Sequence, residues 1–147
     1  MILAPTDMSE ASGRAVAHAV ELGHRLGVGV LLYHVLSQQQ VDERLDAGEF
    51  IDVQLDRARD ELERWYRTLL PRAVREPVRV ELHIAIGAPV EEILELADDR
   101  HVEMIVMATH GRTGLPRVLF GSVAEGVLRH APCPVVTLRM SPQLAHA

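Results

Sequence analysis

Short apolar segments alternate with longer amphipathic ones along this chain, and this alternation constrains the fold more than any other feature of the sequence. Apolar runs predict strands, whereas apolar residues spaced three and four apart predict helices. Strict alternation of the two predicts one open, parallel five-stranded sheet with helices on both faces and right-handed crossovers. The strands are expected at residues 2–4, 28–35, 78–86, 104–108 and 134–138.

Capping residues, glycines and prolines mark where the elements begin and end. Asp7 and Glu10 fit a capping box at the first helix, and Ser9 is a second candidate cap. Prolines beside the last strand favour an edge position in the sheet. The polar residues 37–48 predict a loop or a loosely formed helix start. Helices are expected before Gly27, over residues 51–69, from Pro89 onward and over residues 121–130.

Length and charge exclude several classes of partner. The 147 residues suit a single domain, which we assign to residues 1–140, followed by a flexible tail at 141–147. The formal net charge of −6 opposes binding to nucleic acid or anionic membranes, because both need a basic face. No apolar run approaches the ~20 residues of a membrane span, and the first is too short for a signal peptide. We therefore expect a cytoplasmic protein.

The types of cationic residue and the number of cysteines exclude several kinds of site. All fifteen cations are arginine, and the absence of lysine excludes the Walker P-loop, which needs a lysine at the phosphates. Cys133 is the only cysteine, so no internal disulfide and no thiolate zinc cluster can form. No two histidines have the spacing of a zinc helix. We predict no catalytic residue and no metal site built from the protein alone. Asp7 and His110 are the candidates for the base that a hydrolase would need.

Two glycine-bearing segments predict a phosphate cradle beyond the carboxyl ends of the strands, where open parallel sheets bind ligands. Residues 108–114 leave the fourth strand, and residues 121–124 open the last helix. Free N–H groups at Gly121, Ser122 and Val123 would hold a phosphate, with the helix dipole behind them. Arg112 would add a positive charge. The alternative is a glycine-rich turn in which Ser122 only caps the helix.

These segments resemble the universal stress protein family, and the likeness covers nearly the whole chain. It is carried by Ile2-Leu3-Ala4-Pro5-Thr6-Asp7, His34-Val35, Gly87-Ala88-Pro89, Ala108-Thr109-His110-Gly111, Gly121-Ser122-Val123-Ala124-Glu125 and Arg129-His130-Ala131-Pro132-Cys133-Pro134-Val135-Val136. The resemblance implies a Rossmann-like, adenine nucleotide alpha-hydrolase-like fold with strand order 3-2-1-4-5. It also implies an ATP site written G-x2-G-x9-G-(S/T). Gly111, Gly121 and Ser122 match this pattern, whereas Ala108 replaces the first glycine.

By the same resemblance, the loop after the first strand borders the adenosine, and Val35 offers its backbone to the adenine edge. A carboxylate at Asp7 would repel a triphosphate, so ribose hydroxyls or Mg²⁺ are its expected contacts. The expected ligand is ATP, with ADP or AMP as alternatives. The predicted nucleotide-binding residues are Ala4, Pro5, Thr6, Asp7, Val35, Met107, Ala108, His110, Gly111, Arg112, Gly114, Gly121, Ser122, Val123 and Ala124.

Three functions remain open at this point. The first is a nucleotide-binding stress or regulatory protein that forms a homodimer through strand 134–138 and contacts an unknown protein partner. The second is a slow ATP hydrolase or self-phosphorylating phosphotransferase. The third is a dimeric adaptor with an empty nucleotide crevice. The glycine spacing and Ser122 favour the first two, and the absence of lysine and of an acid–base pair favours the first over the second.

Overall fold

The computed structural model describes residues 1–110 and 121–139, which form a five-stranded parallel sheet of order β3-β2-β1-β4-β5. The predicted strand order and the edge position of the fifth strand are confirmed. The elements are β1 (Ile2–Pro5), α1 (Glu10–Leu26), β2 (Val30–Leu36), α2 (Gln38–Asp46), α3 (Ile51–Leu69), α4 (Arg72–Arg75), β3 (Val80–Ile86), α5 (Pro89–Asp99), β4 (Met104–Ala108), α6 (Ser122–His130) and β5 (Val135–Leu138). The predicted tail at 141–147 lies outside the described residues.

The sheet is covered on both faces, which explains why its central strands read as continuous apolar runs. Alternate side chains enter opposite layers of the core. On one face, Ala4 and Leu32 pack with α1 and α3, which contribute Val16, Ala19, Val20, Leu62 and Tyr66. On the other face, Leu3 and Leu31 pack with α5 and α6, which contribute Ile93, Ala97, Ala124 and Val127.

The first helix begins later than the predicted Asp7–Glu10 capping box would allow, so that prediction is wrong. Ser9 is the N-cap, and its hydroxyl accepts the Ser12 N–H at 3.2 Å. Asp7 instead accepts the Ser9 N–H through Oδ1 at 3.0 Å. The physical reason is the turn between them, where Met8 adopts a left-handed φ of 61°. The helix ends as predicted at Gly27, whose φ is 68°.

The sequence predicts either a loop or a loosely formed helix start for the polar segment 37–48, and the structure shows a helix over most of its length. Ser37 and Gln40 form a capping box at the start of α2, with both reciprocal hydrogen bonds present. The fully buried Gln54 of α3 donates through Nε2 to the carbonyls of Val41 and Glu49, at 3.2 and 3.0 Å. The bond to Val41 ties α2 to α3, and the bond to Glu49 ties α3 to the segment that joins the two helices. The short α4 was not predicted, and β2 and β3 each begin two residues later than expected.

Candidate functional site

A cleft of about 330 Å³ opens at the carboxyl ends of β1 and β4, where the chain changes direction across the sheet. From β1 the chain passes to α1 on one face, and α6 begins next to the end of β4 on the other face. Parallel sheets bind ligands at such a switch point. The cleft is lined by Pro5, Thr6, Asp7, Ser12, Tyr33, His34, Val35, Pro89, Ile93, Met107, Ala108, Thr109, His110, Gly121, Ser122, Val123 and Ala124.

The turn after β1 is fixed by a cluster of hydroxyl groups. The Thr6 and Ser12 hydroxyls lie 2.8 Å apart, and both side chains are buried. The Met8 N–H donates to Thr6 Oγ1 at 2.9 Å, and the Ser12 hydroxyl donates to the Ser9 carbonyl at 3.0 Å. This network holds the left-handed turn in place, and it positions Asp7 on the wall of the cleft.

The end of β2 presents backbone groups to the cleft because β2 extends beyond its neighbour. The register between β1 and β2 ends at Pro5 and Tyr33, and one further bond joins the Thr6 N–H to the Tyr33 carbonyl at 2.8 Å. Backbone groups of alternate residues point to the same side of a strand. The N–H and C=O of Val35 therefore point to the side that β1 has left, and Val35 lines the cleft.

One wall of the cleft is apolar and is held in place by a tyrosine. Tyr33 is 3% exposed, and its hydroxyl donates to Glu92 Oε2 of α5 at 3.4 Å. Burial and the Glu92 carboxylate raise the pKa of Tyr33 above its ordinary value, so the hydroxyl stays protonated. Because this hydroxyl is directed to α5, Tyr33 contributes the carbon atoms of its aromatic ring to the lining of the cleft. Ile93 and Met107 extend this apolar surface.

The opposite end of the cleft is formed by the first turn of α6. Gly121 is the N-cap, with a φ of −70°, and its N–H donates to the Thr109 carbonyl. The prediction of a free N–H at Gly121 is therefore wrong, because this bond crosses from the helix to the end of β4. Ser122 is the first helical residue and does not occupy the cap position, so its predicted alternative role as a helix cap is also wrong. By helix geometry, the N–H groups of Ser122 and Val123 have no partner within the helix.

Most of the predicted nucleotide-binding residues lie together in this cleft. The lining includes Pro5, Thr6, Asp7, Val35, Met107, Ala108, His110, Gly121, Ser122, Val123 and Ala124. Ala4 does not line it, because its side chain is completely buried in the core on the α1 side of the sheet. The predicted contacts at Gly111, Arg112 and Gly114 lie outside the described residues.

Six residues of the lining were not in the predicted nucleotide-binding set: Ser12, Tyr33, His34, Pro89, Ile93 and Thr109. A signal for Tyr33 was present, because residues two apart on a strand share a face and Val35 was already predicted. Within residues 1–110 and 121–139, no group of three or more His, Cys, Asp or Glu side chains is placed to hold a metal ion. None of the helices in those ranges is long and apolar enough to cross a membrane.

Comparison with known proteins gives the family. The sequence model of the universal stress protein family matches residues 1–139. Universal stress protein MJ0577 of Methanocaldococcus jannaschii is 30% identical over 94% of this chain and 93% of its own, and a solved MJ0577 structure has a TM-score of 0.78 over 95% of each chain. Two further solved structures share the fold. A universal stress protein in complex with cAMP is 21% identical, with a TM-score of 0.65 over 95% of this chain and 96% of that one. The universal stress protein of Archaeoglobus fulgidus in complex with dAMP is 22% identical, with a TM-score of 0.65 over 92% and 94%. The chain is a member of the universal stress protein family.

Proposed function

We propose that this chain is a stress-response regulatory protein that binds an adenine nucleotide, ATP, in the cleft. The observation that carries the proposal is the joining of two kinds of surface in one cavity. At one end are the apolar wall and the Val35 backbone, and at the other is the first turn of α6. The first kind fits a purine base, and the second fits a phosphate group. The complexes of two family members with cAMP and dAMP support an adenine ligand.

The predicted contacts likewise fall into two groups, one for the base and ribose and one for the phosphates. Val35 would pair with the adenine edge, and Asp7 would contact the ribose hydroxyls or Mg²⁺. Ser122 and Val123 would donate their N–H groups to phosphate oxygens. Gly111 would complete the phosphate contacts as the family motif implies. Arg112 would add a positive charge and Gly114 a further close approach of the backbone, although the motif specifies neither position. The Ala108 methyl group costs some room where the motif has glycine.

A thermal-shift panel tests this proposal. ATP, ADP, AMP and GTP are each added to the chain, with and without Mg²⁺. At one hundred times the dissociation constant, a ligand adds about 2.7 kcal/mol to the free energy of unfolding. We expect the adenine nucleotides to raise Tm and GTP to leave it nearly unchanged. Equal shifts for GTP and ATP would contradict the adenine assignment.

The proposal includes a homodimer paired through β5. The Ile105 N–H donates to the Pro134 carbonyl and the Thr109 N–H to the Leu138 carbonyl, so the even-numbered residues of this strand face β4. The backbone groups of Val135 and Thr137 therefore face the open edge. The other edge strand, β3, is less available for pairing with a second chain, because Arg59 Nη1 already donates to its Leu82 carbonyl at 3.0 Å. An open apolar edge favours pairing with a second strand.

Thr137→Pro is the variant that tests the dimer. Proline removes an N–H at the open edge and leaves the ladder to β4 intact, as edge strands allow. We expect light scattering to report a dimer for the parent chain and a monomer for the variant, with ATP binding retained. A monomeric parent at micromolar concentration, or a dimeric variant, would contradict pairing through β5. The cytoplasmic location belongs to the same proposal, and fractionation of cells that express a tagged chain tests it.

A further inference from the structure

The ladder between β1 and β2 is interrupted by a histidine side chain at the point where the cleft begins. The Thr6 N–H donates to the Tyr33 carbonyl, so a regular parallel ladder would continue from the Val35 N–H to the Thr6 carbonyl. That carbonyl instead accepts a bond of 2.8 Å from His34 Nδ1. Within the described part of the chain, no backbone acceptor pairs with the Val35 N–H.

The chemistry of the two partners fixes the position of the proton. A carbonyl oxygen can only accept, so Nδ1 of His34 must carry the hydrogen. In the neutral imidazole, Nε2 then carries no hydrogen. The bond is partly buried, and its length is that of a well-formed hydrogen bond. His34 thus occupies the acceptor that would otherwise attract the Val35 N–H back into the sheet.

We propose that His34 is the positioning residue of the base subsite, and that it sets the preference for adenine. By holding the Thr6 carbonyl, it leaves the Val35 N–H directed into the cleft, beside the Val35 carbonyl. This inference rests on the proposed nucleotide function. The backbone pair offers one donor and one acceptor, which match the N1 acceptor and the N6 amino donor of adenine. Hypoxanthine presents the reverse pattern, and a site built on hydrogen bonds rejects such an analogue.

Two variants separate this role from simple packing. His34→Leu keeps a side chain of similar bulk and removes the donor. His34→Asn keeps an N–H donor close to the position of Nδ1, so it is the conservative rescue. Each variant and the parent chain are titrated with ATP and with ITP, the hypoxanthine nucleotide, and Tm is recorded for each protein.

The parent is expected to bind ATP at least about tenfold more tightly than ITP. His34→Leu should weaken ATP binding by about tenfold, the loss expected for one hydrogen bond, and should change ITP binding by less than about threefold. The ratio of the affinity for ATP to the affinity for ITP is therefore smaller in this variant than in the parent. His34→Asn should restore that ratio to within about threefold of the parent value. A folded His34→Leu variant that keeps the parent ratio, or a folded His34→Asn variant that fails to restore it, would overturn the proposal.

A ligand-free measurement keeps this test separate from the fate of the proposed function. Nitrogen NMR of the parent chain should show the His34 hydrogen on Nδ1, and the Val35 amide should exchange faster than the ladder amide of Tyr33. In His34→Leu, the Val35 amide should become protected, because the Thr6 carbonyl is free to accept it. A hydrogen on Nε2, or a Val35 amide as protected as that of Tyr33, would refute the arrangement. If the parent binds neither nucleotide, the proposed function fails, and these NMR results still decide the role of His34 in the backbone.

Discussion

Replacing Gly121 with valine should abolish nucleotide binding and leave the fold intact. Gly121 lies between the end of β4 and the first turn of α6. Its φ of −70° and ψ of 163° are extended backbone that valine also adopts, so the substitution introduces no backbone strain. A Cβ atom there would lie 3.1 Å from the Thr109 carbonyl oxygen and 3.7 Å from His110 Cα. The added side chain must therefore displace the backbone at the phosphate end of the cleft.

The size of the effect follows from the contacts that depend on this position. The Gly121 N–H is already bonded to Thr109, so the phosphate contacts assigned to the backbone are the N–H groups of Ser122 and Val123. Hydrogen bonds to a charged group contribute about 1.5–3 kcal/mol each. Losing both would weaken ATP binding about a hundredfold or more. Ser122→Ala removes a hydroxyl and keeps both amides, so its expected loss is smaller than that of Gly121→Val.

Calorimetric titration of ATP into the parent, Gly121→Val and Ser122→Ala measures these differences, and Tm is recorded alongside. Gly121→Ala is the matched intermediate, because it places the same Cβ atom near Thr109 without the two further methyl groups. We expect the affinity to fall in the order parent, Ser122→Ala, Gly121→Ala, Gly121→Val. If Gly121→Val binds ATP as tightly as the parent chain, the phosphate does not lie at α6 and the reasoning is refuted.

Three further predictions concern stability, reactivity and turnover. Gly23→Ala should lower the free energy of unfolding by ~1–2 kcal/mol, because its Cβ would lie 2.9 Å from the Val28 carbonyl oxygen and 3.1 Å from Val30 Cγ2; unchanged stability in denaturant melts would contradict this packing. Burial raises the pKa of the Cys133 thiol, so the fraction present as thiolate near neutral pH is smaller than for a free cysteine. Because the thiolate is the form that reacts, alkylation of Cys133 near neutral pH should be slower than that of a free cysteine. Equal alkylation rates would count against that burial. Phosphate release from ATP should be far slower than a typical enzyme rate of ~10 per second, and a rate near that value would favour the hydrolase alternative.

The architecture could be predicted from the sequence because its signals are periodic and local. Apolar runs such as 104–108 are strands because both faces of the sheet are covered, and Pro89 begins α5 as its fixed φ favours. The polar composition of residues 37–48 leaves a loop and a loosely formed helix start as alternatives. The capping box of Ser37 and Gln40 was a visible signal that outweighs that composition in the structure.

The details of the site depend on contacts that sequence spacing does not contain. Asp and Ser are both preferred N-cap residues, so the sequence does not decide between Asp7 and Ser9. In the structure, the left-handed φ of Met8 places the N-cap of α1 at Ser9. The Gly121 N–H is taken by a carbonyl twelve residues earlier in the chain, at Thr109. The bond from His34 to the Thr6 carbonyl likewise joins residues that only the parallel pairing of β1 and β2 brings together.

Calorimetric titration of the purified chain with ATP, with and without Mg²⁺ and with GTP as the comparison, tests the central claim most directly. We predict saturable binding of one ATP per chain, with GTP binding at least about tenfold more weakly. The absence of ATP binding under both conditions, or equal affinity for GTP, would contradict an adenine-nucleotide site in this cleft.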